Sequence, residues 1–103
     1  MNISWTSEAY DSWCSVADYI LHEFGEMALQ KFYQNTEEWQ DVLSASPLAG
    51  KVEPLLKNRK IKYRSITISK QNKLIYYIED TTIYIAALWD TRREPTNQAN
   101  NLK

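Results

Sequence analysis

The stretch from Lys73 to Trp89, KLIYYIEDTTIYIAALW, decides the fold class. Residues 73–78 and 83–89 are rich in β-branched and aromatic side chains, which favour strands. The polar residues 79–82 between them form a turn that joins antiparallel neighbours. Residues 83–89 are apolar at both odd and even positions, so both faces of this strand are apolar. This is typical of a strand near the centre of a sheet. The sequence therefore predicts two neighbouring strands that form the middle of a sheet.

A third strand is predicted just before this pair. Lys60, Lys62 and Arg64 alternate with uncharged residues, so on an extended strand the three basic side chains point to one side. The apolar residues shift from odd to even positions after Ser65. This shift predicts either a bulge there or a strand covered on both faces. Residues 44–58 are predicted to be a loop in which Pro54 prevents helix formation.

Two amphipathic helical patterns lie on the N-terminal side of these strands. The first begins after Thr6 or Ser7 and ends at Gly25; the second follows at once and is ended by Pro47 and Gly50. Their apolar stripes comprise Ala9, Trp13, Val16, Ala17, Ile20, Leu21 and Phe24, and then Ala28, Leu29, Phe32, Thr36, Trp39, Val42 and Leu43. With a short first strand at residues 2–5, the predicted fold is α+β, in the order β-α-α-β-β-β. A small antiparallel sheet packs on a helical hairpin.

Composition excludes several classes of protein and site. A chain of 103 residues is one domain, predicted at 1–95 and followed by a polar, disordered tail at 96–103. The single cysteine, Cys14, and the single histidine, His22, exclude a disulfide framework and a Cys or His metal cluster. No metal is predicted. No cofactor is predicted either, since no Gly-rich phosphate loop is present. No apolar run is long enough for a membrane span and no secretory signal is visible, so the expected compartment is the cytoplasm.

Charge is distributed unevenly along the chain. Residues 1–50 hold eight acidic residues against one basic residue, Lys31, whereas residues 51–103 hold eleven basic residues against five acidic ones. The formal net charge of −1 is therefore the sum of an acidic N-terminal half and a basic C-terminal half. A basic half can bind a polyanion even when the total charge is slightly negative.

The basic residues suggest one chemistry and also a simpler explanation. Arg64, Lys73 and Arg92 belong to three predicted strands and are expected to converge at one end of the sheet. A row of such cations can bind phosphates or cleave RNA without a metal, with a neutral lysine as base and an arginine stabilising the transition state. Alternatively these residues form a solvated face, with Arg64 paired to Glu79 or Asp80. If the cations are functional, replacing Lys73 or Arg92 by Ala is expected to leave stability nearly intact but to abolish the activity. Possible base-stacking surfaces are Tyr63, Tyr76, Tyr77, Tyr84 and Trp89.

Seven short motifs, taken in their order, carry a resemblance to a known family. They are Trp5-Thr6-Ser7-Glu8-Ala9, Asp18-Tyr19-Ile20, Phe24-Gly25, Ser46-Pro47-Leu48-Ala49-Gly50-Lys51, Lys62-Tyr63-Arg64-Ser65-Ile66, Lys73-Leu74-Ile75-Tyr76-Tyr77, and residues 83–95. Over roughly residues 3–95 the chain resembles the RelE/ParE superfamily of type II toxin–antitoxin toxins, also known as plasmid stabilisation proteins.

This resemblance implies a bacterial growth-inhibiting toxin that is neutralised by a cognate antitoxin protein. ParE-type members inhibit DNA gyrase, whereas RelE-type members are metal-independent endoribonucleases that cut mRNA on the ribosome. A ribonuclease would take its catalytic residues from Lys60, Lys62, Lys73 and Arg92, with Tyr63, Arg64 and Arg93 as binding residues. The ending Leu88–Arg93, and the absence of a Tyr or His after Arg93, favour the ParE type. A RelE-type enzyme and a degenerate, non-toxic member remain the alternatives.

Overall fold

The computed structural model describes residues 1–91 and confirms the α+β class. The elements are β1 (Asn2–Trp5), α1 (Ser7–Phe24), α2 (Glu26–Ala45), β2 (Lys51–Val52), a 3-10 helix (Pro54–Leu56), β3 (Arg64–Thr67), β4 (Asn72–Glu79) and β5 (Thr82–Asp90). The predictions for Arg92, Arg93 and the tail at 96–103 lie outside the described residues.

The strands form one five-stranded sheet in the order β1-β5-β4-β3-β2. The pairs β2–β3, β3–β4 and β4–β5 are antiparallel. The antiparallel pairing of the last three strands was predicted, whereas β2 is an additional strand inside the predicted loop 44–58. The sheet as a whole is mixed, because β1 pairs in parallel with β5, from Asn2 opposite Thr82 to Trp5 opposite Ile85. Two helices separate β1 from the later strands, and this long connection permits a parallel pairing that a tight turn does not. The predicted interior position of β5 is confirmed.

The two helices begin and end where their capping residues predict. The Thr6 hydroxyl accepts a hydrogen bond from the Ala9 N–H at 3.1 Å. Glu8 lies in the first turn of α1, where the helix dipole favours an acid. Gly25 separates the helices at φ +90°, a conformation that side chains other than glycine rarely adopt. Its N–H donates to the Leu21 carbonyl at 3.0 Å. Neither helix is apolar over enough residues to cross a lipid bilayer.

The main core lies between the helical hairpin and one face of the sheet, called here the helix-covered face. Its buried residues are Ala9, Ala17, Phe32, Leu43, Leu74, Tyr76, Ile83, Ile85 and Leu88. Inside the hairpin the Trp13 indole N–H donates to the Thr36 hydroxyl at 2.9 Å. Thr36 donates in turn to the Phe32 carbonyl, so the buried polar groups are satisfied.

Three local predictions are wrong. Lys60 and Lys62 precede β3, which begins only at Arg64, so the three cations do not form one row on a strand. Of the two explanations for the pattern after Ser65, the bulge is wrong, because the register shift falls between Ile75 and Tyr76 on β4. A strand covered on both faces fits β3, since Ser65 is buried against Glu53 while Ile66 packs against the main core. Pro54 does not prevent helix: it occupies the start of the 3-10 helix, where its missing N–H is not needed. The alternating charge at positions 60–64 is typical of a strand, but residues 53–63 instead form a segment that packs over the sheet.

Candidate functional site

The second face of the sheet, called here the opposite face, is partly covered by residues 53–63, the covering segment. This segment folds back on itself, since the Glu53 N–H donates to the Tyr63 carbonyl at 2.9 Å. It packs Leu56 and Tyr63 against the sheet. The buried cluster consists of Leu56, Tyr63, Ile75, Ala86, Ala87 and Trp89. The covering segment therefore gives the sheet a second, smaller core and leaves its cations outside.

A buried carboxylate joins the covering segment to the sheet. Glu53 is 1% exposed, and Lys73 on β4 donates to its two oxygens at 2.7 and 2.9 Å. The Ser65 hydroxyl on β3 donates to the same carboxylate at 2.5 Å. The Lys73 ammonium also lies 5.3 Å from the centroid of the Trp89 ring. This separation is within cation–π range, so Lys73 is held from two sides.

Electrostatics keep Glu53 ionised although it is buried. Burial alone raises the pKa of a carboxyl group because it disfavours the charged form. At Glu53 the hydrogen bonds from Lys73 and Ser65, together with the Lys73 charge, outweigh burial and hold the pKa below its usual value. The pair is therefore a structural ion pair, and most of the Lys73 charge is already compensated.

Tyrosines occupy the part of the opposite face beside this ion pair. Tyr63, predicted to be a binding residue, is 3% exposed and meets Tyr77 edge-on at 5.6 Å between ring centroids. Burial raises the Tyr63 pKa, against the opposing charge of Arg59. Tyr77 stacks on Tyr84 at 5.1 Å, and burial raises its pKa as well, with Glu79 adding to the effect. The half-exposed rings available for stacking are therefore Tyr77 and Tyr84.

Arg64 lies on the other side of the sheet. Its cross-strand partner is Tyr76, a core residue of the helix-covered face. The guanidinium donates to the Gly50 carbonyl at 2.8 Å and not to Glu79 or Asp80. The Tyr76 hydroxyl donates to the Pro47 carbonyl and accepts from the Gly50 N–H, both at 2.8 Å. Arg64 therefore supports the loop after α2, and the predicted convergence of Arg64 with Lys73 is not found.

Four exposed cations belong to the covering segment, whereas the exposed residues Lys31, Lys51 and Lys70 lie outside it. Lys60 and Lys62 are both exposed, and Lys57 and Arg59 lie beside them. The segment 57–64 carries five basic residues and no acid, and it is called here the basic segment. It is the strongest concentration of positive charge among residues 1–91. Arg92 and Arg93, the other predicted site residues, fall outside the described part of the chain.

Sequence reasoning did not identify Glu53. A signal was present, because Glu53 is the only acidic residue between positions 51 and 78, where the chain is otherwise basic. A lone acid in such surroundings often pairs with one of its neighbours. No group of three or more His, Cys, Asp or Glu side chains within residues 1–91 is placed to hold a metal ion.

Comparison with known proteins supplies structural neighbours only. No family model matches the sequence, and no curated protein matches it either. One solved structure, "Chromosomal ParDE TA system from P. aeruginosa", superposes with a TM-score of 0.70 at 18% identity. The alignment covers 87% of this chain and 95% of that one. The chain therefore has the fold of this ParDE-system structure.

A second solved structure agrees with this fold. The structure of the YoeB dimer from Staphylococcus aureus superposes with a TM-score of 0.57 at 21% identity. The match covers 90% of this chain and 98% of the YoeB chain. The likeness therefore extends over nearly the whole of both folds, and the fold implied by the sequence motifs is confirmed.

Proposed function

We propose that this chain is the toxin of a type II toxin–antitoxin pair and that it acts by binding its target, as a ParE-like inhibitor of DNA gyrase. The fold supports the toxin assignment, since its neighbours come from a ParDE system and from YoeB. Toxin and target would meet in the cytoplasm of a bacterium.

The Glu53–Lys73 ion pair carries the choice of a binder over a nuclease. Metal-free RNA cleavage needs cations whose charge is available to the developing phosphorane, and a base with a free lone pair. Lys73 meets neither requirement while it donates to a buried carboxylate at 2.7 Å. Its position suits a residue that maintains the fold.

The rest of the predicted catalytic set supports the same choice. Lys60 and Lys62 are exposed on the covering segment, and Arg64 serves the Gly50 loop on the other face. Residues 94–103 contain no tyrosine and no histidine. A surface of exposed lysines is better suited to contacting a partner than to aligning a phosphate for attack.

A RelE-like ribonuclease is the second candidate. The observation that favours it is the basic segment, whose Lys60 and Lys62 make no hydrogen bond or ion pair with any described residue. Unpaired cations of this kind suit contacts with ribosomal RNA phosphates. In this alternative Lys60, Lys62, Lys73 and Arg92 act on the RNA while Tyr63, Arg64 and Arg93 position it, and Lys73 must first be released from Glu53.

An antitoxin is the partner that the fold implies. Exposed apolar side chains lie near the basic segment, namely Val52, Leu55 and Ile61. An acidic segment with apolar side chains would complement both features and would order as it binds. The antitoxin is therefore expected to bind over β2 and the covering segment.

Controlled expression in a bacterial host separates the two mechanisms. A gyrase inhibitor should change the supercoiling of a reporter plasmid before translation falls, without new mRNA ends on primer extension. Lys60→Ala/Lys62→Ala should weaken the inhibition and keep the fold. Ribosome-dependent cleavage that this variant abolishes would overturn the binder proposal. Growth inhibition that the adjacent gene product neither relieves nor binds would overturn the toxin–antitoxin assignment.

A further inference from the structure

The junction of the two helices exposes an unusual amount of apolar surface. Residues 18–27, called here the hairpin tip, contain the end of α1, Gly25 and the start of α2. Phe24 is 64% exposed and Met27 is 86% exposed. Phe24 lies edge-on to Tyr19 at 6.2 Å between ring centroids. Tyr19 and Leu21 are exposed as well, so four large apolar side chains of these ten residues lie outside the core.

The same ten residues are acidic. Asp18, Glu23 and Glu26 are all exposed, and the tip has no lysine or arginine. None of these three carboxylates forms an ion pair with any residue of 1–91. Glu26 has a local role at the start of α2, where it complements the helix dipole. Asp18 and Glu23 have no such role, so their charge is available to a partner.

We propose that the hairpin tip binds a cationic amphipathic segment of another protein. The apolar side of such a segment would cover Phe24 and Met27, while its lysines or arginines meet Asp18 and Glu23. The exposed rings of Tyr19 and Phe24 can accept cations over their faces, and methionine adapts its shape to different side chains. This surface is separate from the basic segment, which attracts acidic ligands, so the inference does not rest on the proposed function.

A second copy of this chain is a poorer occupant. In a two-fold dimer through the tip, each copy would bring the carboxylates of Asp18, Glu23 and Glu26 to the same interface, and like charges would repel. A tip bound to the basic segment of another copy matches in charge. Such a head-to-tail contact continues from copy to copy and closes only as a ring. A basic partner protein satisfies the charge without either difficulty.

Fluorescence anisotropy with a synthetic probe tests this binding. The probe is a labelled peptide of about 14 residues, leucine and lysine, spaced so that one side of a helix is apolar. A peptide of the same pattern with glutamate replacing lysine is the charge control. We expect the lysine peptide to bind and to weaken as salt rises, and the glutamate peptide to bind at least about tenfold more weakly.

Matched variants locate the binding. Phe24→Ser/Met27→Ser and Asp18→Asn/Glu23→Gln should each weaken the lysine peptide by about tenfold or more. Leu48→Ser, at an equally exposed apolar residue, and Glu79→Gln/Asp80→Asn, at two acids of the β4–β5 turn, should leave it unchanged. Circular dichroism confirms that each variant is folded. Equal loss in the control variants, equal binding of the glutamate peptide, no binding at all, or a self-association that Phe24→Ser/Met27→Ser abolishes would each overturn the proposal.

Discussion

Glu53 and Lys73 stand twenty positions apart in the chain, and their side chains meet at 2.7 Å on the opposite face of the sheet. The carboxylate is almost fully buried, whereas the ammonium keeps 22% of its side-chain surface exposed. The pair fixes the start of the covering segment to the middle strand. It therefore determines where the exposed cations of that segment are presented.

Replacing Glu53 by Gln should destabilise the protein by about 1–3 kcal/mol. A glutamine keeps the shape and one acceptor but removes the charge, so Lys73 stays partly desolvated without its partner. The loss is smaller than for a fully buried pair because Lys73 reaches solvent. Urea denaturation measures the change, and Glu79→Gln, at an exposed acid, is the control. Equal stability of the two variants would show that the buried pair contributes nothing.

Stability should fall in acid, and Glu53 should account for part of the fall. Its pKa is lowered in the folded state, so near and below about pH 4.5 the unfolded chain binds the proton first. The stabilisation is therefore present above that pH and is lost as pH falls toward the folded-state pKa. Urea midpoints measured between pH 7 and pH 3 should show a shallower decline for Glu53→Gln than for the natural chain. Parallel curves would contradict this assignment.

Alanine at Lys73 should act on the fold, contrary to the expectation from sequence. Its removal leaves the Glu53 carboxylate buried with only Ser65 as a side-chain donor. The expected loss of stability is about 2–4 kcal/mol. Lys60→Ala/Lys62→Ala removes two exposed charges. That double variant should change stability by less than about 0.5 kcal/mol. Thermal unfolding and growth assays together separate the effects. A Lys73→Ala protein of normal stability that is non-toxic would return Lys73 to the functional site.

Gly50 and Gly25 should both resist alanine, for different reasons. A Cβ at Gly50 would lie 2.7 Å from the Ser65 carbonyl and from the Tyr76 hydroxyl, so the backbone must move. The expected cost of this movement is about 1–3 kcal/mol. A Cβ at Gly25 would meet nothing. Its cost of about 1–3 kcal/mol comes from the positive φ. Gly25→Asn should cost as much as Gly25→Ala, because φ +90° with ψ −178° lies outside the left-handed helical region that asparagine tolerates and is adopted almost only by glycine. Gly50→Asn should be at least as harmful as Gly50→Ala.

Truncation of two phenylalanines on neighbouring helices should change stability by very different amounts. Phe32 is 7% exposed and stacks on Trp13 at 5.2 Å between ring centroids. Phe32→Ala should therefore cost about 3–5 kcal/mol. Phe24→Ala removes an exposed ring at the hairpin tip. It should change stability by less than about 1 kcal/mol. Calorimetry gives both values. A strongly destabilised Phe24→Ala would mean that the tip belongs to the core.

The regular parts of this fold could be predicted because local signals agree there. Thr6 supplies a cap, Gly25 supplies the positive φ between the helices, and most of the apolar positions of α1, α2 and β5 are buried or half-buried as their periods predict. The exceptions in the predicted helix stripes are Leu21, Phe24 and Val42, which are exposed. Hydrophobic period and capping chemistry act over a few residues, so they are visible in the chain. The parallel pairing of β1 is not visible in this way, because nothing near Asn2–Trp5 specifies which edge of the sheet it joins.

The candidate site was harder to predict because its residues are defined by long-range pairing. The alternation of Lys60, Lys62 and Arg64 is typical of a strand. The residues before Arg64, however, belong to the covering segment, which packs over the sheet. Tyr63 then becomes buried, and Lys73 takes Glu53 as its partner. The position of the covering segment thus determines the environment of four predicted site residues, Lys60, Lys62, Tyr63 and Lys73. The positions of Arg92 and Arg93 are a prediction still to be tested.

The parallel pairing of β1 with β5 has a consequence for synthesis of the chain. The Thr6 hydroxyl donates to the Ala86 carbonyl, a partner made 80 residues later. The helical hairpin contains only local contacts and can form early, whereas the sheet cannot close until β5 has left the ribosome. We therefore expect fragments from interrupted translation, such as residues 1–79, to be unable to complete the sheet and to be open to proteases. Pulse-labelling followed by limited proteolysis would detect this late closure.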